Sequence, residues 1–381
     1  MTENRQANAQ NGARSGWQTL APPASGRQPE TVVLHPSEAI GDNIWNLPIF
    51  RSLAASDPSG RIDLITHYQA PVIPLFGNAE IINRYLLLPI PTPRDGLKRR
   101  AERKKGMADA LTYKIRQFSP QFLGLYRITR AFRSGAYKRA IIFYVHSRYT
   151  LCARLAGIPY IYNTHGIGWR TTPVPFPARK HFPHPDRNAA LLDLWDIPHI
   201  DEPPHINPSP TAMREMANVY ADLPAPWVGL AIGSTTEDRI WPPERFAAVA
   251  DHLWESGYRT IFLLGAPHES SIAQAIISHC HMAKPIAVTN HSLEQAIALV
   301  KLCAFTVCND SGLMNVSAAV GVPVYAMFPT VTPYTYSPHI RPITPEGGID
   351  KVLGARKNTV ELVLSALRVD GRFNTTCEKQ A

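Results

Sequence analysis

The sequence has few cysteines, and none of them has the spacing of a metal or redox motif. Its 381 residues include five cysteines, which are scattered between Cys152 and Cys377 without a Cys-x-x-Cys pair. An odd and scattered set with no secretory signal before it is typical of a reducing compartment. The stretch His279-Cys280-His281 does not predict a metal site, because adjacent side chains diverge and no second pair follows at ligand spacing. We therefore predict no metal, no cofactor and a cytoplasmic location.

Long apolar runs and nucleic-acid motifs are also absent. No window of about twenty residues is apolar enough to predict a membrane span, and residues 1–29 lack the apolar core of a signal peptide. That segment is rich in small and polar residues and predicts a disordered tail. The absence of a membrane span predicts a soluble protein. Because no zinc finger, aromatic RNA-binding motif or helix-turn-helix pattern is present, we also predict that it does not bind nucleic acid.

The positive charge is concentrated in one segment. The net charge is +9, and residues 91–140 hold fourteen Lys or Arg against three Asp or Glu. This basic insertion is densest between Arg94 and Gly106, where no aromatic residues interleave, which disfavours binding of single-stranded nucleic acid. Two interpretations remain open: a solvated surface, or a patch that binds the phosphates of anionic lipid headgroups.

Apolar runs alternate with amphipathic stretches along the whole chain. In the first half, "TVVLH", "IDLIT", "YLLLP", "IIFYV" and "PYIYN" predict strands of an open α/β domain. In the second half, five strands separated by single helices predict a parallel, doubly wound sheet, which binds ligands at the carboxyl ends of its strands. We predict a tail at 1–29, a first domain at 30–205, a proline-rich linker at 206–226, a second domain at 227–356, and a C-terminal helix and tail at 357–381. We expect the C-terminal helix to pack back on the first domain.

Two strand-end loops of the second half have the composition of a phosphate site. "GSTTEDRIWPPERF" offers the hydroxyls of Ser234–Thr236 and the charge of Arg239 just before a helix, and "NDSGLMN" repeats this arrangement with Gly312. A helix N-terminus beside an arginine suits a phosphate group. Each loop alone is equally well explained as an ordinary turn before a capped helix, with Asp310 and Ser311 as the cap candidates of the second loop. Two such loops on one sheet predict that they converge on one ligand.

The loop after the first strand, "HPSEAIGD", offers a carboxylate instead of cations. Asp42 follows Gly41 at the start of a predicted helix. Taken alone it is explained as an N-cap. Facing a bound phosphate donor, it is a candidate general base.

Together these elements resemble glycosyltransferase family 9, the heptosyltransferases that build the inner core of bacterial lipopolysaccharide. The resemblance covers roughly residues 31–66 and 227–330 and rests on "GDNIWNLPIFRSL", "GSTTEDRIWPPERFAAVADHL" and "NDSGLMNVSAAVGVPVYAMF". It implies an α/β fold of the GT-B type, in which two Rossmann-like domains with parallel sheets face each other across a cleft. The first domain would bind the acceptor and the second the nucleotide sugar.

The resemblance also implies roles for individual residues. Asp42 would be the catalytic base, Arg239 stands where the family has lysine, and Asn315 stands where it has histidine. The residues implied to bind the donor are Gly233, Ser234, Thr235, Thr236, Arg239, His268, Glu269, Asp310, Ser311, Gly312 and Asn315, and those predicted for the acceptor are Gly41, Arg94, Lys98, Arg99 and Arg100.

The implied reaction is an inverting transfer of a sugar, heptose from ADP-heptose, to a lipopolysaccharide-core or similar glycan. The sequence has no Asp-x-Asp motif, so we predict that no metal ion takes part. Anionic lipids on the inner face of the inner membrane would attract the basic insertion. Two alternatives keep the fold: a transferase that acts on a protein acceptor, and a non-catalytic scaffold that binds nucleotide sugars or polyanions.

Overall fold

The chain forms two compact α/β units. The computed structural model describes residues 18–19, 27–77, 79–88, 124–143, 148–163, 191–334 and 336–373. The first unit spans Met1–Glu202 and the second Pro203–Ala381. No helix within these described ranges is long and apolar enough to span a bilayer.

The first unit is built on a six-stranded sheet. Its strands lie in the order β1-β4-β3-β2-β5-β6, and every pair is parallel except β1 with β4. The strands are β1 (Gln18–Thr19), β2 (Thr31–His35), β3 (Ile62–His67), β4 (Ile82–Leu88), β5 (Arg139–Ile142) and β6 (Tyr160–Asn163). The helices are α1 (Ile40–Trp45), α2 (Leu47–Ala55), α3 (Val72–Phe76), α4 (124–133) and α5 (Arg148–Leu155).

Two details of the first unit differ from the sequence prediction. Gln18 pairs with Tyr85 and Thr19 with Arg84, so two residues of the tail predicted to be disordered add an antiparallel edge strand. The strand expected to begin at Ile141 begins instead at Arg139 and ends at Ile142. Short polar segments next to a sheet edge gain backbone hydrogen bonds that composition does not reveal.

The second unit is built on a fully parallel six-stranded sheet, in the order β12-β11-β10-β7-β8-β9. Five strands were predicted, and the sixth is β12. The strands are β7 (Trp227–Ala231), β8 (Thr260–Leu264), β9 (Ile286–Val288), β10 (Phe305–Asn309), β11 (Val324–Met327) and β12 (Ile340–Ile343). The helices are α6 (Pro210–Val219), α7 (Pro243–Glu255), α8 (Ser270–His279), α9 (Leu293–Leu302), α10 (Gly312–Ala319) and α11 (Val360–Val369).

The C-terminal helix α11 belongs to the second unit. Its apolar face buries Val363, Leu364 and Leu367 in the same core as Phe246 and Leu253 of α7. The prediction that this helix packs back on the first domain is therefore wrong. The amphipathic period fixed the buried face of α11, but it carries no information about which sheet covers that face.

The segment predicted to link the domains contains a helix. Helix α6 begins with Pro210 after the N-cap Ser209, whose hydroxyl accepts a hydrogen bond from the backbone N–H of Ala212. It packs against α9, and Met216 is buried. Proline at the first helical turn, next to an N-cap serine, starts a helix instead of interrupting one.

Asp251 of α7 stabilises the turn that follows α8. Its Oδ1 accepts from the N–H groups of Met282 and Ala283 at 2.9 and 2.7 Å, and its Oδ2 from that of His281 at 2.9 Å. Burial alone would raise the pKa of this carboxyl, but the three backbone donors outweigh burial and hold the pKa below its ordinary value. The stretch His279-Cys280-His281 is therefore the end of a helix fastened by a carboxylate.

We expect Asp251→Asn to lower the free energy of unfolding by about 1–3 kcal/mol at neutral pH, because the amide cannot satisfy all three donors. The folded pKa is depressed, so the contribution of Asp251 is complete above its unfolded pKa and disappears as the pH falls through the folded value. Urea denaturation at pH 7 and pH 3 should show the difference between wild type and variant shrinking in acid. The matched control is Asp222→Asn at an exposed carboxylate, and a pH-independent difference would contradict the expectation.

Candidate functional site

Asp42 lies at the carboxyl end of β2, in the first turn of α1. The N-cap of α1 is Ala39, so the interpretation of Asp42 as an N-cap is wrong. Ser37 donates a hydrogen bond from Oγ to Oδ2 of Asp42 at 2.7 Å. Within the described ranges, Oδ1 of Asp42 accepts no hydrogen bond and the side chain is half-buried. A carboxylate held by one oxygen and open at the other has the form of a general base.

The residues around Asp42 fix its loop. Burial lowers the pKa of His35, the last residue of β2, to about 3, so this imidazole is neutral at physiological pH. Its ring packs edge-on against Phe50 and Phe143, with centroids 5.6 and 5.7 Å away. A second carboxylate of the loop, Glu38, lies 3.0 Å from Nδ1 of His67 at the end of β3. Sequence analysis did not predict the His67 contact.

Gly41 lies beside Asp42 in α1 and is half-buried. The other residues predicted to bind the acceptor fall outside the described residues, namely Arg94, Lys98, Arg99 and Arg100.

The predicted phosphate loop follows β7 in the second unit. Gly233 is buried and Ser234 is half-buried, whereas Thr235 and Thr236 are exposed. Ser234 donates from Oγ to the backbone carbonyl of Asp310 at 3.1 Å. The strand-end loops of β7 and β10 are thereby joined, and their convergence on one ligand stays a prediction.

Arg239 forms an ion pair with Asp310. Its Nη1 lies 2.9 Å from Oδ2 of Asp310, a side chain that is only 5% exposed. Burial raises the pKa of Asp310, Arg239 opposes this rise, and Asp238 adds to it. In the described part of the chain, Nε of Arg239 is buried without a hydrogen-bond partner. A guanidinium carries five N–H donors, so one Nη can bind the carboxylate while other donors bind a ligand.

Asn309 holds the two loops in register, a role that sequence analysis missed. Its side-chain amide donates to the carbonyl of Ile232 at 2.8 Å and accepts from the N–H of Trp241 at 3.1 Å. Trp241 is fully buried and donates from its indole nitrogen to the carbonyl of Asn358 at 2.8 Å. The Trp-Pro-Pro sequence therefore anchors the loop of Arg239 through the buried side chain of Trp241. Pro243 is the first residue of α7.

Glu269 lies after β8, against the loop that follows β7. A Cβ atom on Gly233 would lie 1.9 Å from Oε1 of Glu269, so only glycine allows this approach. The carboxylate accepts from the N–H of Ala266 at 2.7 Å. His268, the neighbouring predicted donor residue, has a side chain that is 72% exposed and is 3.7 Å from Glu269.

Among the described residues, no side chain caps the start of α10. Ser311 occupies the N-cap position and Gly312 is the first helical residue, but the Ser311 hydroxyl makes no capping hydrogen bond. Asn315 donates from Nδ2 to the carbonyl of Ser311 at 2.9 Å, and its Oδ1 accepts from the phenol of Tyr336. The explanation of this loop as a side-chain-capped helix is therefore wrong, and the Oγ of Ser311 is buried without a hydrogen-bond partner among the described residues.

Hydrogen bonds, the ion pair and close packing thus connect the strand-end loops of β8, β7, β10 and β11. They bring together Glu269, Gly233, Ser234, Arg239, Asp310, Ser311, Gly312 and Asn315, whereas Thr235, Thr236 and His268 point their side chains to solvent. Nowhere in the described ranges do three His, Cys, Asp or Glu side chains form a metal-binding group. A cation, hydroxyls and a helix N-terminus at one sheet edge can bind a phosphate group.

Comparisons with known proteins identify the family of this chain. Residues 125–349 match the model of glycosyltransferase family 9 (heptosyltransferase). Lipopolysaccharide heptosyltransferase 2 of Escherichia coli is 22% identical over 315 residues, which cover 77% of this chain and 81% of that protein.

Solved structures share the fold. A glycosyl transferase of family 9 from Veillonella parvula has a TM-score of 0.68 at 19% identity, covering 89% of this chain and 96% of that one. An Escherichia coli heptosyltransferase solved with ADP-2-deoxy-2-fluoro heptose has a TM-score of 0.58 at 18% identity, covering 89% and 99%. These similarities confirm the α/β fold of the GT-B type. Because the family model matches more than half of the chain, the protein belongs to glycosyltransferase family 9 and is a glycosyltransferase.

Proposed function

We propose that this glycosyltransferase transfers heptose from ADP-heptose to a sugar of a lipopolysaccharide core, with inversion at the anomeric carbon and without a metal ion. The names of its relatives support the donor and the acceptor: one is a lipopolysaccharide heptosyltransferase, and another was solved with a fluorinated ADP-heptose.

One observation carries the proposal: Arg239, Asp310 and Ser311 meet at the carboxyl edge of the second sheet. The guanidinium lies beside the start of α10, whose backbone N–H groups carry partial positive charge. A leaving nucleoside diphosphate gains negative charge as the glycosidic bond breaks, and such a preorganised cation and helix terminus stabilise it. The side chain of Asp310 keeps the guanidinium in place.

The chemical step is a single displacement in this proposal. Asp42 removes the proton of the acceptor hydroxyl, and the oxygen attacks the anomeric carbon from the face opposite the diphosphate. A carbon–oxygen bond to the acceptor forms while the bond to the β-phosphate oxygen breaks, and ADP leaves with the bonding electrons. Arg239 and the start of α10 stabilise the departing charge.

The acceptor side of the proposal places the protein at the inner face of the inner membrane. Lipopolysaccharide-core acceptors are anchored in lipid, and the basic insertion at 91–140 supplies eleven positive charges in excess. Clustered lysines and arginines bind anionic lipid headgroups, each with about 1 kcal/mol near the surface. Flotation with vesicles of anionic lipid tests this part independently of catalysis.

The direct test is a transfer assay with purified protein, ADP-heptose and a core glycolipid that lacks the heptose. We expect a product of inverted anomeric configuration by NMR. We also expect a rate that EDTA changes by less than about twofold, since removal of a Lewis-acid metal would cost orders of magnitude.

The remaining outcomes discriminate the alternatives. Donor binding with transfer only to a protein acceptor would identify a protein glycosyltransferase. Donor binding without transfer to any acceptor would indicate a non-catalytic scaffold, and loss of the rate in EDTA would refute the metal-independent step.

A further inference from the structure

The four connected loops follow one another along the edge of the second sheet in the order β8, β7, β10 and β11. They present the carboxylate of Glu269, then the cation of Arg239, then the hydroxyl of Ser311, and finally residues 328–334 and 336 after β11. A nucleotide sugar is also a linear molecule, with a nucleoside, a diphosphate and a sugar in sequence. The order of the loops along the sheet therefore indicates which loop faces the nucleoside, the diphosphate and the sugar.

Thr330 is a buried hydroxyl in the loop after β11. The residue is 4% exposed, and no described residue makes a hydrogen bond to its Oγ1. The Oγ of Ser311, in the neighbouring loop, is likewise buried and has no hydrogen-bond partner among the described residues. Strands β10 and β11 pair Asn309 with Met327, so the two hydroxyls lie just beyond the same end of adjacent strands. Burial of a hydroxyl without a partner costs folding free energy, which favours a ligand as the partner.

The loop after β11 is fastened to the start of α10. The phenol of Tyr336 donates to Asn315, which in turn donates to the carbonyl of Ser311. Asn315 thus uses both ends of its amide inside the protein, so it positions the loop. Tyr334 packs edge-on against Phe328, with ring centroids 5.4 Å apart. Thr330 therefore belongs to a segment that is held at both ends.

We propose that Thr330 binds a hydroxyl group of the transferred sugar, and that the loop after β11 is the sugar end of the donor site. This assignment rests on the proposed function. A carboxylate repels a diphosphate but accepts hydrogen bonds from hydroxyls, so Glu269 suits the ribose of the nucleoside. The diphosphate lies at Arg239 and Ser311, and the sugar then extends towards β11. A neutral hydroxyl such as that of Thr330 both donates to and accepts from a sugar hydroxyl.

The test is calorimetric binding of ADP and ADP-heptose to wild-type protein and to Thr330→Val, which keeps the side-chain shape. We expect the Kd for ADP-heptose to rise about five- to tenfold and the Kd for ADP to stay within about twofold, as for the loss of one hydrogen bond to the sugar. The melting temperature of the free protein should be unchanged or higher, because a hydroxyl without a partner is replaced by a methyl group. A purely structural hydroxyl would lower it.

Two further variants keep the test decisive. Thr330→Ser retains the hydroxyl and should retain tight binding of ADP-heptose, and Thr332→Val, at an exposed threonine of the same loop, should change neither Kd. Equal weakening of ADP and ADP-heptose by Thr330→Val, or no weakening of either, would overturn the assignment while leaving the proposed function intact. Wild-type protein that is folded but binds neither ligand would refute the proposed function and this assignment together.

Discussion

Replacing Asp42 by asparagine is expected to lower kcat by about 10²- to 10⁴-fold, the range for loss of a general base. An amide has the shape of a carboxylate and can still accept the hydrogen bond from Ser37, but it cannot take a proton from the acceptor. Steady-state kinetics with a core glycolipid and calorimetric titration with ADP-heptose should show a large loss of turnover with an unchanged Kd for the donor.

The control for Asp42 is its neighbour Glu38, whose carboxylate lies beside His67. Glu38→Gln makes the same chemical change in the same loop and should keep kcat within about threefold, as expected away from the reacting atoms. If Asp42→Asn retained nearly full turnover, another group would have to be the base. If both variants lost turnover equally, the loop as a whole, and not a proton transfer, would be responsible.

The sequence predicted those parts of the site that depend on local pattern. Apolar runs indicated where β7 and β10 end; Asp310 and Ser311 directly follow β10, and Arg239 lies further along the loop after β7. Because the carboxyl ends of parallel strands lie at one edge, neighbouring strands bring such residues together. Here β7 and β10 are neighbours, and the ion pair of Arg239 with Asp310 joins their loops.

Other parts could not be predicted because they depend on contacts between distant segments. In the sequence, Asn309 is only the predicted end of a strand. The folded sheet shows that its amide hydrogen-bonds to Ile232 and Trp241, which are 77 and 68 residues away in sequence. Thr330 could not be predicted from the sequence for the same reason, because it is distinguished by a buried hydroxyl without a hydrogen-bond partner among the described residues. Sheet order decides such contacts, and hydrophobic periodicity carries no information about it.

Arg239→Ala should cause the second large loss, about 10²- to 10³-fold in kcat, as expected when a preorganised contact to the leaving charge is removed. The affinity for ADP should fall about tenfold, which corresponds to 1.4 kcal/mol. Arg239→Lys retains a cation and should retain most of the affinity. Arg259→Ala, at an exposed arginine of the same unit, serves as the control for net charge. Unchanged ADP affinity in Arg239→Ala would contradict the phosphate role.

Removal of Arg239 also leaves Asp310 buried without its cation, so loss of stability must be separated from loss of phosphate binding. The pKa of Asp310 is already raised by burial and Arg239 opposes that rise, so it should rise further in Arg239→Ala. A group whose folded pKa lies above its unfolded value destabilises the protein increasingly as the pH rises through that range. The variant should therefore lose most stability at neutral pH and recover it in acid. Adding Asp310→Asn removes the buried charge and should restore stability at neutral pH, whereas ADP affinity should remain low, because the double variant still lacks the guanidinium that binds the diphosphate.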